Sequence, residues 1–386
     1  MKRFLTLIVT AVGCILGSVA QIATQTVSVD LRPGWVAPTN RFLRADENGH
    51  RENSAVISPH IRWSFTLDPE SRLGRNYPNV YQGIGVNYNQ FLPDATLGHP
   101  LGLYIFQGAK IASLSQRLSL NYEWNFGIAG PWKKYDRDSN PANGAIGSHV
   151  TALINLGVML SYRLSPTLSV NAGIEATHYS NGNTRIPNAG VNTIGARIGL
   201  AYTFQGTNED VITTPDPFTP WLGYDLTLYG ATKQKSIIDG NTGTEYRIPG
   251  DFGVFGLNFA PMWAFCRYFR AGVSADFQYD ESANLYLNWV PDSPVDDAHF
   301  YYQPFKQRFS AGLSLRAELT MPIFSINVGL GRNLIASGAD TRIFYQTLAL
   351  KAYVFRGSYL QVGYQMRDFH LPNNLMLGIG YTFGRP

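Results

Sequence analysis

The chain has 386 residues, with 31 Lys and Arg against 27 Asp and Glu, and its formal net charge of +4 at pH 7 argues against a nucleic-acid partner. Hydrophobic residues make up 45% and aromatic residues 13% of the chain. Beyond the N-terminus, no segment approaches the roughly 18 uncharged apolar residues of a transmembrane helix, which argues against a helical membrane protein.

The first segment is typical of a secretory signal peptide. Two basic residues precede the apolar run Phe4–Leu16, and small residues follow it up to Ala20. We therefore predict a signal peptide over residues 1–20. A lipoprotein signal ending at Cys14 is a weaker alternative, because the apolar run continues past this cysteine. After cleavage only Cys266 remains, so no internal disulfide is expected.

Segments with period-two alternation fill the first half of the chain. In Leu168–Ser180 the even positions are mainly apolar and the odd positions mainly polar. Because successive side chains of a strand point to opposite faces, this pattern predicts strands with one apolar face and one polar face. The predicted strands are Thr26–Val36, Ala55–Leu67, Val80–Phe91, Leu101–Ile111, Gln116–Ile128, His149–Leu164, Leu168–Ser180 and Asn192–Phe204.

A polar, proline-containing segment over residues 205–220 is predicted to be a linker or long turn. Strand patterns resume after it, and the chain closes on alternating apolar residues up to Phe383. This ending resembles the C-terminal aromatic signal that barrel-assembly machinery reads. The predicted strands here are Leu222–Thr232, Phe252–Phe265, Phe269–Tyr279, Ala283–Val290, Arg308–Leu319, Phe324–Leu330, Phe344–Phe355, Tyr359–Phe369 and Leu375–Phe383.

Export, aromatic two-period strands and the lack of a spanning helix together predict an all-β, antiparallel transmembrane β-barrel of the outer membrane. We favour one barrel of about 14–16 strands, with two units of about eight strands each as the alternative. In either case, residues 21–204 form the half that carries the candidate site, and residues 221–386 form the second half. A soluble secreted β-protein is the weakest interpretation.

His178, Ser180 and Asn192 lie in phase with the apolar face of their strands, which is an unusual place for polar side chains. Residues two apart on a strand point the same way, about 6.5–7 Å apart, so His178 can serve as the base for a Ser180 nucleophile. Asn192 opens the next strand and can orient the imidazole, while Asn188 can donate to an oxyanion. Glu175 has the opposite parity and is predicted to be a structural residue of the lumen.

The order of turns and loops places this site at the outer rim of the barrel. The turn at Leu164 is short, as periplasmic turns are, whereas the loop Gly130–Ser148 is long, as extracellular loops are. Three basic residues lie in the outer loops and are predicted to bind anionic groups of a lipopolysaccharide head group: Lys133, Lys134 and Arg185.

The pattern His178-x-Ser180-Asn181, followed by Pro187-Asn188-x-Gly190, resembles the outer-membrane lipid A 3-O-deacylase (PagL-type) and acyloxyacyl hydrolase-like family. The resemblance covers residues 25–204 and does not extend past Pro217. It implies a small antiparallel barrel with a serine–histidine–acid triad, in which His178 matches the base and Ser180 the nucleophile. Asn188 matches an asparagine of the oxyanion site. The family's glutamate falls on Asn192, which can orient an imidazole but cannot stabilise an imidazolium by charge.

The sequence therefore predicts a serine esterase in the outer membrane of a Gram-negative bacterium that removes an ester-linked acyl chain from lipid A or a related outer-leaflet lipid. Lipid A or lipopolysaccharide and the barrel-assembly machinery are the expected partners. No cofactor and no metal are expected. The alternative is a non-catalytic barrel for transport or surface interaction that carries a degenerate hydrolase motif.

Overall fold

The computed structural model describes residues 22–44, 53–93, 96–204, 206, 214–238, 245–288, 299–369 and 371–384. The predicted signal peptide and the alternative lipoprotein signal lie outside these residues. Nearly all of the regular secondary structure in the described residues is β-strand, which confirms the predicted fold class, and the strands form two eight-stranded closed barrels. Cys266 is a free, exposed cysteine. Among the described residues, no helix has the length and apolar character needed to cross a membrane.

The first barrel closes because its first strand pairs with the second strand on one side and with the last on the other. The third strand pairs with the second. A short strand that follows it, Gln90–Pro93, pairs with the remaining part of the second strand. Two short helical turns, Arg41–Leu43 and Arg72–Asn76, lie in its connections. The strands are β1 (Ile22–Val36), β2 (Asn53–Leu67), β3 (Val80–Tyr88), β4 (Gln90–Pro93), β5 (Leu101–Ser113), β6 (Leu118–Gly130), β7 (Thr151–Arg163), β8 (Leu168–Ser180) and β9 (Val191–Thr203).

The second barrel closes in the same way, through pairing of its first and last strands. Two small hairpins lie outside its wall, β11 with β12 and β15 with β16, and Phe305–Arg308 is a short helix. The strands are β10 (Trp221–Lys233), β11 (Ser236–Ile238), β12 (Glu245–Arg247), β13 (Phe252–Cys266), β14 (Phe269–Asp280), β15 (Tyr286–Asn288), β16 (His299–Tyr301), β17 (Phe309–Thr320), β18 (Phe324–Ile335), β19 (Phe344–Phe355), β20 (Ser358–Arg367) and β21 (Leu371–Phe383).

The preference for one large barrel was wrong, and the alternative of two eight-stranded units is the observed fold. Alternation along a strand shows which way side chains point, but it does not show which strand closes the ring. The predicted barrel strand Ala283–Val290 was also wrong. Its described part contains only the three-residue strand β15, which pairs with β16 outside the barrel wall.

Both barrels have an apolar outside and a polar inside, the reverse of a soluble protein. On the first barrel Ile174 and Ile198 are 65% and 60% exposed, and on the second Leu315 and Ile379 are 66% and 61% exposed. Such extensive exposed apolar surface is tolerated where lipid covers it. The pattern confirms the transmembrane barrel and disfavours a soluble β-protein.

A network of ion pairs fills the interior of the first barrel. Glu123 accepts from Arg62 at 2.8 Å and from Arg197 at 2.6 Å, and Asp30 lies 2.9 Å from Arg32. Glu175 pairs with Arg32 at 2.8 Å and so lies in the lumen. The cavity beside it measures only about 20 Å³, room for about one water molecule. The small cavity shows a packed interior, and the ion pairs compensate the buried charges of these residues.

A hydrophobic cluster closes one end of this barrel, and we call it the plug. Its members come from the ends of β1, β6 and β8, the starts of β2, β7 and β9, the strands β4 and β5, and the loops between them. Trp132 packs there against Phe91 and Tyr179, and its indole Nε1 donates to the Ala129 carbonyl and to Thr151 Oγ1 at 3.0 Å each. The plug includes Val36, Leu43, Val56, Phe91, Leu97, Trp132, Ala145, Ile146, Leu153, Tyr179 and Val191.

The second barrel has its own interior charge cluster. Glu318 accepts from Arg270 and from Lys351, both at 2.6 Å, and Asp225 accepts from the same two cations at 2.7 Å. All four side chains are almost fully buried. Each barrel therefore carries a self-contained, charge-balanced interior.

Candidate active site

The candidate site lies on the outward face where β8 ends and β9 begins. His178 is directly opposite Asn192 in the antiparallel ladder, and Ser180 is opposite Ala152 of β7. Along β8 the alternate residues Ala172, Ile174 and Ala176 are exposed, and His178 and Ser180 continue the same face as half-buried side chains. Strand geometry thus gathers the three predicted residues on one surface.

His178 and Asn192 are in direct contact. The imidazole Nδ1 lies 2.7 Å from Asn192 Oδ1. An amide oxygen only accepts, so this bond requires a proton on Nδ1 and leaves Nε2 of a neutral imidazole as the acceptor. A general base for a serine needs this tautomer.

Ser180 and His178 are neighbours on β8. Among the hydrogen bonds of the described residues, none joins these two side chains. A Cβ placed on Gly190 would lie 3.1 Å from His178 Cε1 and 3.7 Å from Ser180 Cβ, so both side chains border the same small space. Hydrogen bonds of catalytic groups are often long in unliganded proteins and tighten with substrate. The structure therefore supplies proximity, and the bond itself stays a prediction.

Gly190 is the residue that lets the hairpin loop fit against the site. Its φ of +74° belongs to the left-handed region, and a Cβ would lie 3.0 Å from the Tyr179 carbonyl oxygen. Its own backbone is held on both sides, since its N–H donates to the Ala145 carbonyl at 3.0 Å and its carbonyl accepts from Asn40 Nδ2 at 3.0 Å. The loop is thereby fixed beside His178.

Asn188 is oriented by the backbone of its own loop. Its Oδ1 accepts from the N–H of Asn181 at 2.9 Å. The bond orients the Asn188 amide, and its Nδ2 group is the end that can donate to an oxyanion. This geometry is compatible with the oxyanion role of Asn188, which stays a prediction.

The predicted head-group cations differ in their surroundings. Lys133 is exposed and Lys134 is half-buried, with its Nζ 3.4 Å from the Tyr135 carbonyl. Arg185 lies in the segment 182–186, which groups with the second unit, and its guanidinium pairs with Asp251 at 2.8 Å. A hydrogen bond from Gln234 and the charge of Arg185 hold the pKa of the Asp251 carboxyl below its ordinary value. Arg185 is thus already engaged by a carboxylate.

Two polar residues that follow β1, Thr39 and Asn40, also contact the site and were not predicted from the sequence. Asn192 Nδ2 donates to Thr39 Oγ1 at 3.0 Å, across 153 residues of sequence. Asn40 contacts Gly190, as described above. Both residues lie in a loop without alternation or motif, and barrel closure alone brings them to β9, where Val36 pairs with Thr193.

A shallow apolar groove of about 500 Å³ runs along the outward face of the same strands. Two of its residues, Ile194 and Ala196, follow Asn192 on the same face of β9, and Ile194 is opposite Ala176. The groove exists because small residues lie between larger ones. Its lining includes Gly34, Trp35, Ala55, Ile174, Ile194 and Ala196.

Two family models match the sequence. The model described as lipid A 3-O-deacylase (PagL) matches residues 57–201, and the acyloxyacyl hydrolase C-terminal domain matches residues 222–385. Together they span most of both barrels. The expectation that the resemblance stops before Pro217 was wrong, because the second model covers the second barrel. No curated protein matches the sequence significantly.

Solved barrels resemble parts of the chain weakly. Neisserial surface protein A is 8% identical with a TM-score of 0.32, covering 47% of this chain and 98% of its own. The outer membrane enzyme PagL is 17% identical with a TM-score of 0.30, covering 45% and 97%. The siderophore receptor PirA from Acinetobacter baumannii is 8% identical with a TM-score of 0.27, covering 94% and 74%.

Proposed function

Because the chain belongs to the lipid A 3-O-deacylase (PagL) and acyloxyacyl hydrolase-like family, we propose that it is an outer-membrane serine esterase acting on lipid A or a related outer-leaflet lipid. The observation that carries the proposal is the 2.7 Å contact between His178 and Asn192, with Ser180 next to it on the lipid-facing surface. In an outer membrane, this end of the barrel lies at the depth of outer-leaflet acyl esters.

The chemistry follows from the tautomer of His178. With Nδ1–H donating to Asn192, Nε2 takes the proton of Ser180 as its Oγ attacks the ester carbonyl. Asn188 Nδ2 donates to the developing oxyanion. As the bond to the sugar breaks, the imidazolium protonates the departing sugar oxygen, which leaves as a hydroxyl. A water molecule, activated by the same nitrogen, then releases the acyl chain from Ser180 as a fatty acid.

The surroundings of the site suit a lipid with an anionic head group. The groove below Asn192 is of apolar character and accommodates an acyl chain alongside Ile194 and Ala196. Lys133 and Lys134 supply positive charge on the loop above the strands. Arg185 is a weaker candidate, because a phosphate has to compete with Asp251 for it.

The proposed location of the protein is the outer membrane. The predicted signal peptide and the aromatic end of β21, where Tyr381 and Phe383 are exposed, support export and insertion by barrel-assembly machinery into a Gram-negative outer membrane. The alternative function, passive transport through a non-catalytic barrel, has less support than the esterase. The ion pairs and the plug fill the first barrel, and its interior cavity holds about one water molecule.

Mass spectrometry of lipid A tests the proposed activity. Cells expressing the wild type are expected to lose one acyl or hydroxyacyl chain from lipid A, whereas cells expressing Ser180→Ala are expected to keep it. Ser169→Ala, on the same strand but the opposite face, is the matched control and should behave as the wild type. Identical lipid A in all strains, with folded protein in the outer membrane, would contradict the deacylase.

A further inference from the structure

We propose that Thr39 is a positioning residue of this site, which acts through Asn192 to hold His178 in the catalytic tautomer. The proposal rests on the proposed esterase function and adds a residue that lies outside the family motif. Its basis is a continuous chain of hydrogen bonds from Thr39 Oγ1 through the Asn192 amide to His178 Nδ1, with lengths of 3.0 and 2.7 Å.

The two ends of the Asn192 amide are chemically different, and the site needs one particular end at the imidazole. With Oδ1 at His178, the ring carries its proton on Nδ1 and its Nε2 is free to accept from Ser180. With the amide rotated by half a turn, Nδ2 would donate to Nδ1 and the ring proton would move to Nε2. That tautomer cannot act as the base.

Thr39 holds the outer end of the Asn192 amide in the observed orientation. Its Oγ1 receives the Nδ2–H of Asn192, so the opposite end of the amide presents Oδ1 to His178. Donation from the amide also polarises its carbonyl, because linked hydrogen bonds reinforce one another. The effect matters most when His178 becomes an imidazolium, since Asn192 carries no charge of its own to stabilise it.

The fold holds Thr39 in place by main-chain contacts on both sides. The N–H of Ala37 donates to the Asn192 carbonyl at 2.8 Å, and the N–H of Thr39 donates to the Ala37 carbonyl at 2.8 Å. One residue later, Asn40 Nδ2 donates to the Gly190 carbonyl at 3.0 Å. The loop after β1 is thereby tied to the start of β9 and to the loop before it.

Steady-state kinetics of the full chain in detergent micelles, with purified lipid A as substrate, tests the role. Thr39→Val is expected to lower kcat about five- to tenfold with KM unchanged, the size of one lost hydrogen bond. Thr39→Ser keeps the hydroxyl and should restore the rate. Thr26→Val is the matched control, because it removes a 2.9 Å hydroxyl contact with Thr203 at the far end of the same strand pair.

A second measurement is independent of activity. In protein labelled with ¹⁵N-histidine, the resonances of His178, assigned with His178→Gln, are expected to show the Nδ1–H tautomer in the wild type and Thr39→Ser. In Thr39→Val the amide loses the partner at its outer end, and the resonances should show a mixture of the two tautomers. Unchanged resonances and an unchanged kcat in Thr39→Val would overturn the role of Thr39. Wild-type hydrolysis no faster than that of Ser180→Ala would overturn the esterase instead, and the resonances would still decide the tautomer.

Discussion

At the scale of single residues, Asn192 is the unusual member of the site. The resemblance places a glutamate at this position, yet the shorter asparagine reaches the imidazole at 2.7 Å. The neutral amide fixes the tautomer but leaves the imidazolium of the transition state without a countercharge. The hydroxyl of Thr39 can accept or donate, so it can serve an amide or a carboxylate at position 192.

Asn192→Asp is therefore expected to increase the rate. The carboxylate keeps the length of the asparagine, accepts from His178 Nδ1 and stabilises the imidazolium, while Thr39 turns its hydroxyl to donate. We expect kcat to rise about tenfold or more, since hydrogen bonds to a charged partner are about twice as strong as neutral ones. Initial rates of acyl release measure this. Asn192→Ala should reduce the rate, and equal rates for all three proteins would show that Asn192 has no part in catalysis.

At the scale of elements, the loops at one end of the first barrel act as a single packed body. Trp132 packs edge-on against Tyr179, the residue between His178 and Ser180, with ring centroids 5.2 Å apart. The same loop accepts hydrogen bonds from the hairpin that carries the candidate site, at the Gly144 and Ala145 carbonyls. Tyr179 also donates to Asn89 Oδ1 at 3.0 Å. The outer end of β8 is therefore fixed from the inside of the barrel.

Trp132→Ala should destabilise this end of the barrel by about 3–5 kcal/mol, the usual cost of removing a buried aromatic side chain. We expect a lower thermal midpoint and a loss of acyl release at temperatures where the strands stay folded. Circular dichroism and the activity assay, recorded over the same temperatures, measure the two effects. Trp132→Phe keeps most of the packing, so its thermal midpoint should lie between those of the wild type and Trp132→Ala. A thermal midpoint equal to that of the wild type would refute the role of the plug.

At the scale of the whole molecule, the chain contains two barrels of the same architecture, which differ in the residues of their last hairpins. The segment Gly199–Phe204 resembles Gly378–Phe383, and each lies at the end of the strand that closes its barrel. The second barrel, however, has Leu371 opposite Arg367 at the start of its last hairpin, where the first has Asn192 opposite His178. The described part of the second barrel thus lacks the pair that defines the candidate site.

Because each barrel closes through its own strands and balances its own interior charges, a fragment ending at Asp216 is expected to fold. Folded barrels resist detergent and migrate differently on gels before and after heating, so gel mobility measures closure. A fragment ending at Gly190 lacks β9 and cannot pair with β1, which makes it the matched control. If the longer fragment also fails to show the heat-dependent shift, the first barrel does not fold alone.

The sequence by itself determined the long strands of the two barrel walls, their two faces and the candidate dyad. Alternation is a local property of the backbone, so β8 was predicted with its observed bounds, and the phase of His178 and Ser180 placed them on the lipid-facing side. Glu175 was placed in the lumen for the same reason.

Only the tertiary structure decided which strands close each ring and what surrounds the dyad. Ring closure joins β1 to β9 through backbone hydrogen bonds, which carry no side-chain signal in the sequence. The contact of Thr39 with Asn192 and the plug around Trp132 follow from that closure, because they join loops that are distant along the chain. Alternation encodes the direction of a side chain, whereas its partner depends on how the whole ring is assembled.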